Sequence, residues 1–188
     1  MGEISKPQQV KLVCGLIFQD ETLLKKTIRI LERKFGPIDF KSTILPFNYT
    51  DYYEKEFGPD LKRLFVSFRK LISPDNLASI KVFTNNLETK LGKNERRRIN
   101  IDPGYLDLAK LVLATTKDFS HRIYLAKGIY AEITLLYKDK CFRIHPWTYP
   151  DYRTPEYLEI FHKIRDLFAK QFSSKIRKSR PPSISHNL

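Results

Sequence analysis

Cysteine is scarce in this 188-residue chain: Cys14 and Cys141 are the only two. Such a pair excludes a disulfide framework and fits a reducing compartment. Both lie in apolar, strand-like runs and are expected to be buried free thiols. Glycine is sparse as well, and its seven scattered copies form neither a GxGxxG turn nor a Walker A loop. CxxC, HxxxH and HExxH patterns are missing, so no dedicated zinc site is expected. No elbow motif surrounds a serine, and Ser120 beside His121 is adjacency along a strand, not a catalytic pair. Long apolar runs are missing too. The longest near the start, 12–18, is far too short to span a bilayer. Residues 1–9 lack a signal core, and Lys6 breaks the myristoylation pattern. The expectation is a cytoplasmic protein with no membrane association.

What is present is a hydrophobic fraction of 41%, ordinary for a globular chain, and a net charge of +13. The charge favours anionic partners, either a small molecule or nucleic acid. Lys170, Lys175, Arg177, Lys178 and Arg180 crowd an acid-free end that also carries Pro181 and Pro182. One globular domain over 1–173 and a flexible basic tail over 174–188 are therefore expected. Lys90, Lys93, Arg96, Arg97 and Arg98 form a second basic cluster.

The periodicities alternate between strand and helix. Residues 10–18 read as a strand buried on both faces. Asp20 caps a helix whose stripe is Leu24, Ile28, Leu31 and Phe35, and Gly36-Pro37 stops it. Residues 40–47 and 61–72 read as strands. Ser73-Pro74 opens a helix with stripe Leu77, Ile80, Thr84, Leu87 and Leu91. This β-α-β-β-α opening predicts a ferredoxin-like, α+β single domain. Its sheet is mostly antiparallel, with helices on one face and the other face open or covered by later segments. Asp102-Pro103 predicts a helix through Leu106, Ala109 and Leu113, with a buried strand over 111–115 as the alternative. A hairpin follows, then a final helix capped by Thr154 with stripe Tyr157, Phe161, Ile164 and Phe168.

The hairpin allows a sharper expectation. A three-residue loop at Ala126-Lys127-Gly128 pairs Leu125 with Ile129, Tyr124 with Tyr130, Ile123 with Ala131 and Arg122 with Glu132. One face is then wholly apolar: Ile123, Leu125, Ile129, Ala131, Ile133 and Leu135. The other carries Arg122, Tyr124, Tyr130, Glu132 and Thr134. That polar face is expected to floor a concave, positively charged pocket. Arg122 offers a planar donor fork for phosphate or carboxylate. Lys117, Lys110, Tyr105, Tyr124 and Tyr130 are further candidate ligand contacts. Glu132, His121 and Asp102 are candidate proton-transfer groups. Thr50-Asp51-Tyr52-Tyr53 and the aromatic-acid loop at 147–152 either cover this face or plug the core edge. No cofactor or metal is assigned.

Several of these segments form an ordered signature. It runs Asp102-Pro103-Gly104-Tyr105, Leu113-Ala114-Thr115-Thr116-Lys117, His121-Arg122-Ile123-Tyr124-Leu125, Gly128-Ile129-Tyr130-Ala131-Glu132 and Trp147-Thr148-Tyr149-Pro150-Asp151-Tyr152. It resembles that of an uncharacterised prokaryotic family catalogued as domain of unknown function 4416. Residues 11–18, Phe35-Gly36-Pro37-Ile38 and Thr50-Asp51-Tyr52-Tyr53 share the likeness. The resemblance implies a stand-alone single domain and carries no catalytic assignment.

Three functions compete. The first is a pocket for a phosphate-bearing, nucleotide-like ligand, with phosphoryl-transfer or hydrolytic chemistry. The second is an RNA- or DNA-binding module using Arg96, Arg97, Arg98 and the tail. The third is a non-catalytic adaptor.

Overall fold

The structure is a computed structural model and describes residues 2–49, 54–94 and 96–179. In chain order its elements are β1 (Val10–Phe18), α1 (Glu21–Phe35), β2 (Ile38–Lys41), β3 (Leu45–Pro46), α2 (Glu54–Phe57) and β4 (Lys62–Ile72). Then come α3 (Leu77–Leu91), β5 (Ile99–Leu106), β6 (Lys110–Thr115), β7 (Ile123–Ala126), β8 (Ile129–Lys138), β9 (Cys141–Ile144) and α4 (Pro155–Ser179). The sheet order is β2-β4-β1-β5-β6-β8-β7, with β3 on β4 and β9 on β8, and every ladder is antiparallel.

The opening follows local signals. Asp20 caps α1 by accepting from the Thr22 and Leu23 amides at 2.7 and 3.2 Å. Burial on both faces makes β1 the centre of the sheet, between β4 and β5. The expected strand over 40–47 is split into β2 and β3. Leu23, Leu31 and Phe35 of α1, with Ile80, Leu87 and Leu91 of α3, pack on Leu12, Leu16, Val66 and Phe68 of the sheet. The opposite sheet face, with Val13, Phe65, Leu106 and Leu135, is covered by Tyr157, Phe161, Ile164 and Phe168 of α4. So α1 and α3 share one face, and the last helix closes the other. Cys14 is buried, and burial pushes its thiol up to about 12. Cys141 is free but only half-buried, not fully buried as expected. Among the described residues, no helix is long and apolar enough to cross a membrane.

The expected helix after Asp102 is instead the β5–β6 hairpin, so the alternative strand reading is the one the chain adopts. Asp107 closes its turn, accepting from the amides of Ala109 and Lys110 at 2.7 and 2.8 Å. Proline fits inside β5 because of where its missing N–H would point. Ile101 N–H faces away from β1, toward Glu88; Pro103, two residues on, faces the same way, where β6 has not yet joined. Pairing with β6 starts at Gly104, where a Cβ would lie 2.4 Å from the Val112 carbonyl oxygen. Only glycine admits β6 that close.

The second hairpin keeps its expected register by a different route. Ile123 pairs with Ala131 and Tyr124 with Tyr130, but Ala126, not Leu125, pairs with Ile129. The loop is the two residues Lys127 and Gly128, both left-handed at φ 58° and 73°. A bulge at Leu125 absorbs the extra residue and preserves the pairing beyond it. The faces are also used differently from a simple core rule. Ile123 and Ile133 of the apolar face are 69% and 36% exposed, whereas Glu132 is buried. The α4 backbone stays helical to Ser179, past the boundary expected at 173.

Candidate functional site

β5 and β6 are paired only over Gly104–Leu106 with Leu111–Leu113. Below that they splay, and the gap is a cavity of about 770 Å³. Such a volume is that of a small-molecule pocket. Asn100 and Asp102 of β5 line one side, and Ala114 and Thr115 of β6, with Thr116 and Lys117, line the other. The edge of β5 exposed by the splay is satisfied by α3: Lys81 Nζ donates to the Ile101 carbonyl at 3.1 Å, and Glu88 Oε1 accepts from the Ile101 amide at 2.6 Å. Both side chains line the cavity.

Arg63 is its most buried cation, at 1% exposure. It leaves β4, crosses β1 and reaches β5. Gly15 of β1 makes the crossing possible, since a Cβ there would lie 2.7 Å from the Arg63 guanidinium. Register puts Gly15 beside Asp102 on β5, and Arg63 Nη1 meets Asp102 Oδ2 at 3.4 Å. Nη2 donates to the Tyr152 hydroxyl at 2.6 Å. The rings of Phe65 and Tyr152 lie 4.7 and 5.4 Å from the guanidinium carbon. Arg63 Nε is buried with no hydrogen-bond partner.

Two carboxyl groups flank this guanidinium and are driven apart. At Asp102 burial pushes upward, but Lys81 and Arg63, with an Asn100 hydrogen bond, prevail and hold it below the usual aspartate value. At Asp151 burial prevails over Arg63 and raises the carboxyl. Asp151 opens the 3-10 turn 151–153 ahead of α4 and is 7% exposed. The Tyr149 hydroxyl is also raised, chiefly by burial and then by Glu132.

The expected pocket floor is present in part. Arg122 Nε donates to Glu132 Oε2 at 2.9 Å, and His121 Nε2 lies 3.2 Å from the same oxygen. Thr134 Oγ1 donates to Glu132 Oε1 at 3.3 Å. Glu132 lines the cavity, while Arg122 and His121 stand behind it, Arg122 donating to the Tyr149 hydroxyl at 2.7 Å. Lys117 and Asp102 line the cavity. Four other expected residues do not. Tyr105 packs with Leu77, Ala78 and Val112 against α3. Lys110 is paired to Asp107 at 2.6 Å in the hairpin turn. Tyr124 and Tyr130 form an edge-to-face pair, 5.3 Å between centroids. The hollow is also of mixed sign, not lined by cations alone. Among the described residues, Arg63, Lys81, Arg97 and Lys117 face Glu88, Asp102, Glu132 and Asp151.

The 147–152 loop does both jobs considered for it. Between the end of β7 pairing at Ala131 and the start of β9 pairing at Leu135, β8 has a gap in its outer ladder. Trp147 Nε1 donates to the Ile133 carbonyl at 3.0 Å, and Thr148 Oγ1 donates to the Thr134 carbonyl at 2.7 Å, filling that gap. Tyr149 and Asp151 then face the cavity, and Tyr152 packs on Phe161 in the core. The second aromatic-acid segment, Thr50-Asp51-Tyr52-Tyr53, lies outside the described residues.

Sequence reasoning missed Arg63, Lys81, Glu88, Asn100 and Asp151. Signals existed for some. Arg63 is a cation inside a strand otherwise buried on both faces, and Gly15 interrupts an apolar strand where a close approach is required. Lys81 and Glu88 are seven residues apart, on the buried side of α3. Among the described residues, no group of three or more His, Cys, Asp or Glu is arranged to hold a metal ion. The basic cluster proposed for nucleic acid is partly committed within the chain. Arg97 is bound to Glu56 at 2.6 Å and Glu88 at 3.1 Å, and Arg98 to Asp20 at 2.9 Å.

The chain belongs to the family described as Domain of unknown function (DUF4416), whose profile matches residues 8–168. No curated protein matches it in sequence.

Proposed function

We propose that the cavity between β5 and β6 binds a phosphate-bearing small molecule of nucleotide size and exchanges a proton with it. One observation carries this reading: charged side chains of both signs, from β4, α3, β5, β8 and the 147–152 loop, line a single hollow. Burying ionised groups is costly and rarely adds stability, so such a convergence points to a ligand. Lys117, with the Thr115 and Thr116 hydroxyls beside it, would hold the anionic group. Arg63, whose Nε lacks a partner, has a donor to spare. Asp102, held ionised, would act as the fixed negative partner of Lys81 and Arg63, and Asp151, whose protonated form burial favours, would act as the proton donor. Hydrolysis or phosphoryl transfer matches that pair of roles. Ile17, Phe47 and Leu113 supply the apolar wall against which the rest of the ligand would pack.

A thermal-shift screen over nucleotides, sugar phosphates and inorganic phosphate tests the proposal. A true ligand stabilises the folded chain by RT ln(1 + [L]/Kd), so Tm rises with its concentration. The shift should shrink in Lys117→Ala and Asp102→Asn. Hits that stabilise both variants as well as the parent chain would place the site elsewhere.

A further inference from the structure

We infer that the solvent face of α1 is a docking surface for the phosphate backbone of double-stranded nucleic acid, separate from the cavity. Lys25, Lys26, Arg29, Arg33 and Lys34 are all exposed on this helix. Among the described residues, none of the five makes an ion pair within the chain. The acids that could neutralise them are engaged. Asp20 caps the helix and binds Arg98 at 2.9 Å, Glu21 binds Lys62 at 2.6 Å, and Glu32 accepts from the Ile38 amide at 3.3 Å.

Lys25, Arg29 and Arg33 repeat at i, i+4, about 6 Å apart along the axis. Like charges at that spacing destabilise a helix, so folding has no use for the stripe. Lys70 extends it at the helix end, beside Gly36. Lys93 and Arg96 are exposed on the loop that Arg98 ties to the helix start.

The surroundings choose between polyanions. The larger apolar residues of α1, Leu23, Leu24, Leu31 and Phe35, are buried, and Ile28 and Ile30 pack against the same core. A membrane surface would be offered nothing to insert. No large apolar side chain is exposed on α1 or α3, so bases of a single strand have no ring to stack on. What remains is a rigid cationic ridge facing closely spaced phosphates, without base readout.

The test is fluorescence anisotropy on the full chain with duplex RNA, duplex DNA, single-stranded RNA and anionic vesicles, between about 50 and 200 mM salt. Three proteins are compared: the parent, Lys25→Gln/Arg29→Gln/Arg33→Gln, and a tail variant with Lys175, Arg177, Lys178 and Arg180 changed to alanine. The glutamine changes are exposed, and an unaltered melting curve confirms the fold. The parent should bind either duplex regardless of sequence. The helix variant should bind at least tenfold more weakly, its log–log salt slope shallower by about 0.9 for each phosphate it no longer neutralises. Unchanged duplex affinity in the helix variant would overturn the inference. So would weakening confined to the tail variant, or tighter binding to single strands or vesicles.

Discussion

Two buried cations on neighbouring strands meet opposite fates. Lys11 of β1 and Arg63 of β4 are 0% and 1% exposed. Lys11 Nζ binds Asp39 at 2.5 Å and the Phe68 carbonyl at 3.2 Å, and Ser67 Oγ donates to the other Asp39 oxygen at 2.7 Å. That cluster is one cation and one anion, closed on each other; its effect is to tie β2 to the sheet. Arg63 has one acid at 3.4 Å, a second carboxyl nearby, an unpartnered nitrogen and a hollow beside it. A closed pair serves assembly, whereas an open one, on the proposal above, would keep bonding capacity for a ligand.

The contrast can be broken from either end. The largest effect is expected at the closed pair. Lys11→Ala strands Asp39 and should cost about 3 kcal/mol or more in urea unfolding, whereas ligand affinity of whatever still folds should not change. Gly15→Ala attacks the open one. The added methyl displaces the guanidinium, for an expected destabilisation of about 1–3 kcal/mol, and the ligand-induced thermal shift should vanish with it. A shift that survived would separate Arg63 from the site.

The smallest effects are changes in pH dependence. Asp102, with its folded-state pKa lowered, stabilises the parent above about 3.8, the ordinary aspartate value, and that contribution fades as pH falls below it. Asp151 is raised, so ionising it in the folded protein costs stability as pH rises above about 3.8. Against the parent, Asp102→Asn should therefore lose ground on going from acid to neutral pH and Asp151→Asn should gain it. Denaturant midpoints followed across that range would show slopes of opposite sign. Two slopes of the same sign would mean that the balance between burial and the neighbouring cations does not differ in sign at the two carboxyls.

Local patterns in the sequence carried β1, α1, α3 and the register of the β7–β8 hairpin. Each is marked by a cap, a period or an alternation within some fifteen residues. The Asp102-Pro103 step misleads because the same pair begins a helix and also suits a strand whose outer edge is empty. Only the late arrival of β6 decides between them. Glu132, Arg122 and His121 were legible as a group since one hairpin holds them. The Arg63 site was not. It depends on Gly15, Arg63, Asp102 and Asp151 coming from four separated segments, and no spacing along the chain encodes that meeting.

Trp147 is the single tryptophan of the chain. Its ring stacks nearly parallel on those of His121 and His145, with centroids 5.1 and 4.7 Å away, and its neighbour Tyr149 is on the cavity wall. The protein thus carries a built-in optical reporter. Any molecule that moves the Tyr149–Arg122–Glu132 chain should change indole emission, so ligands can be titrated without a label.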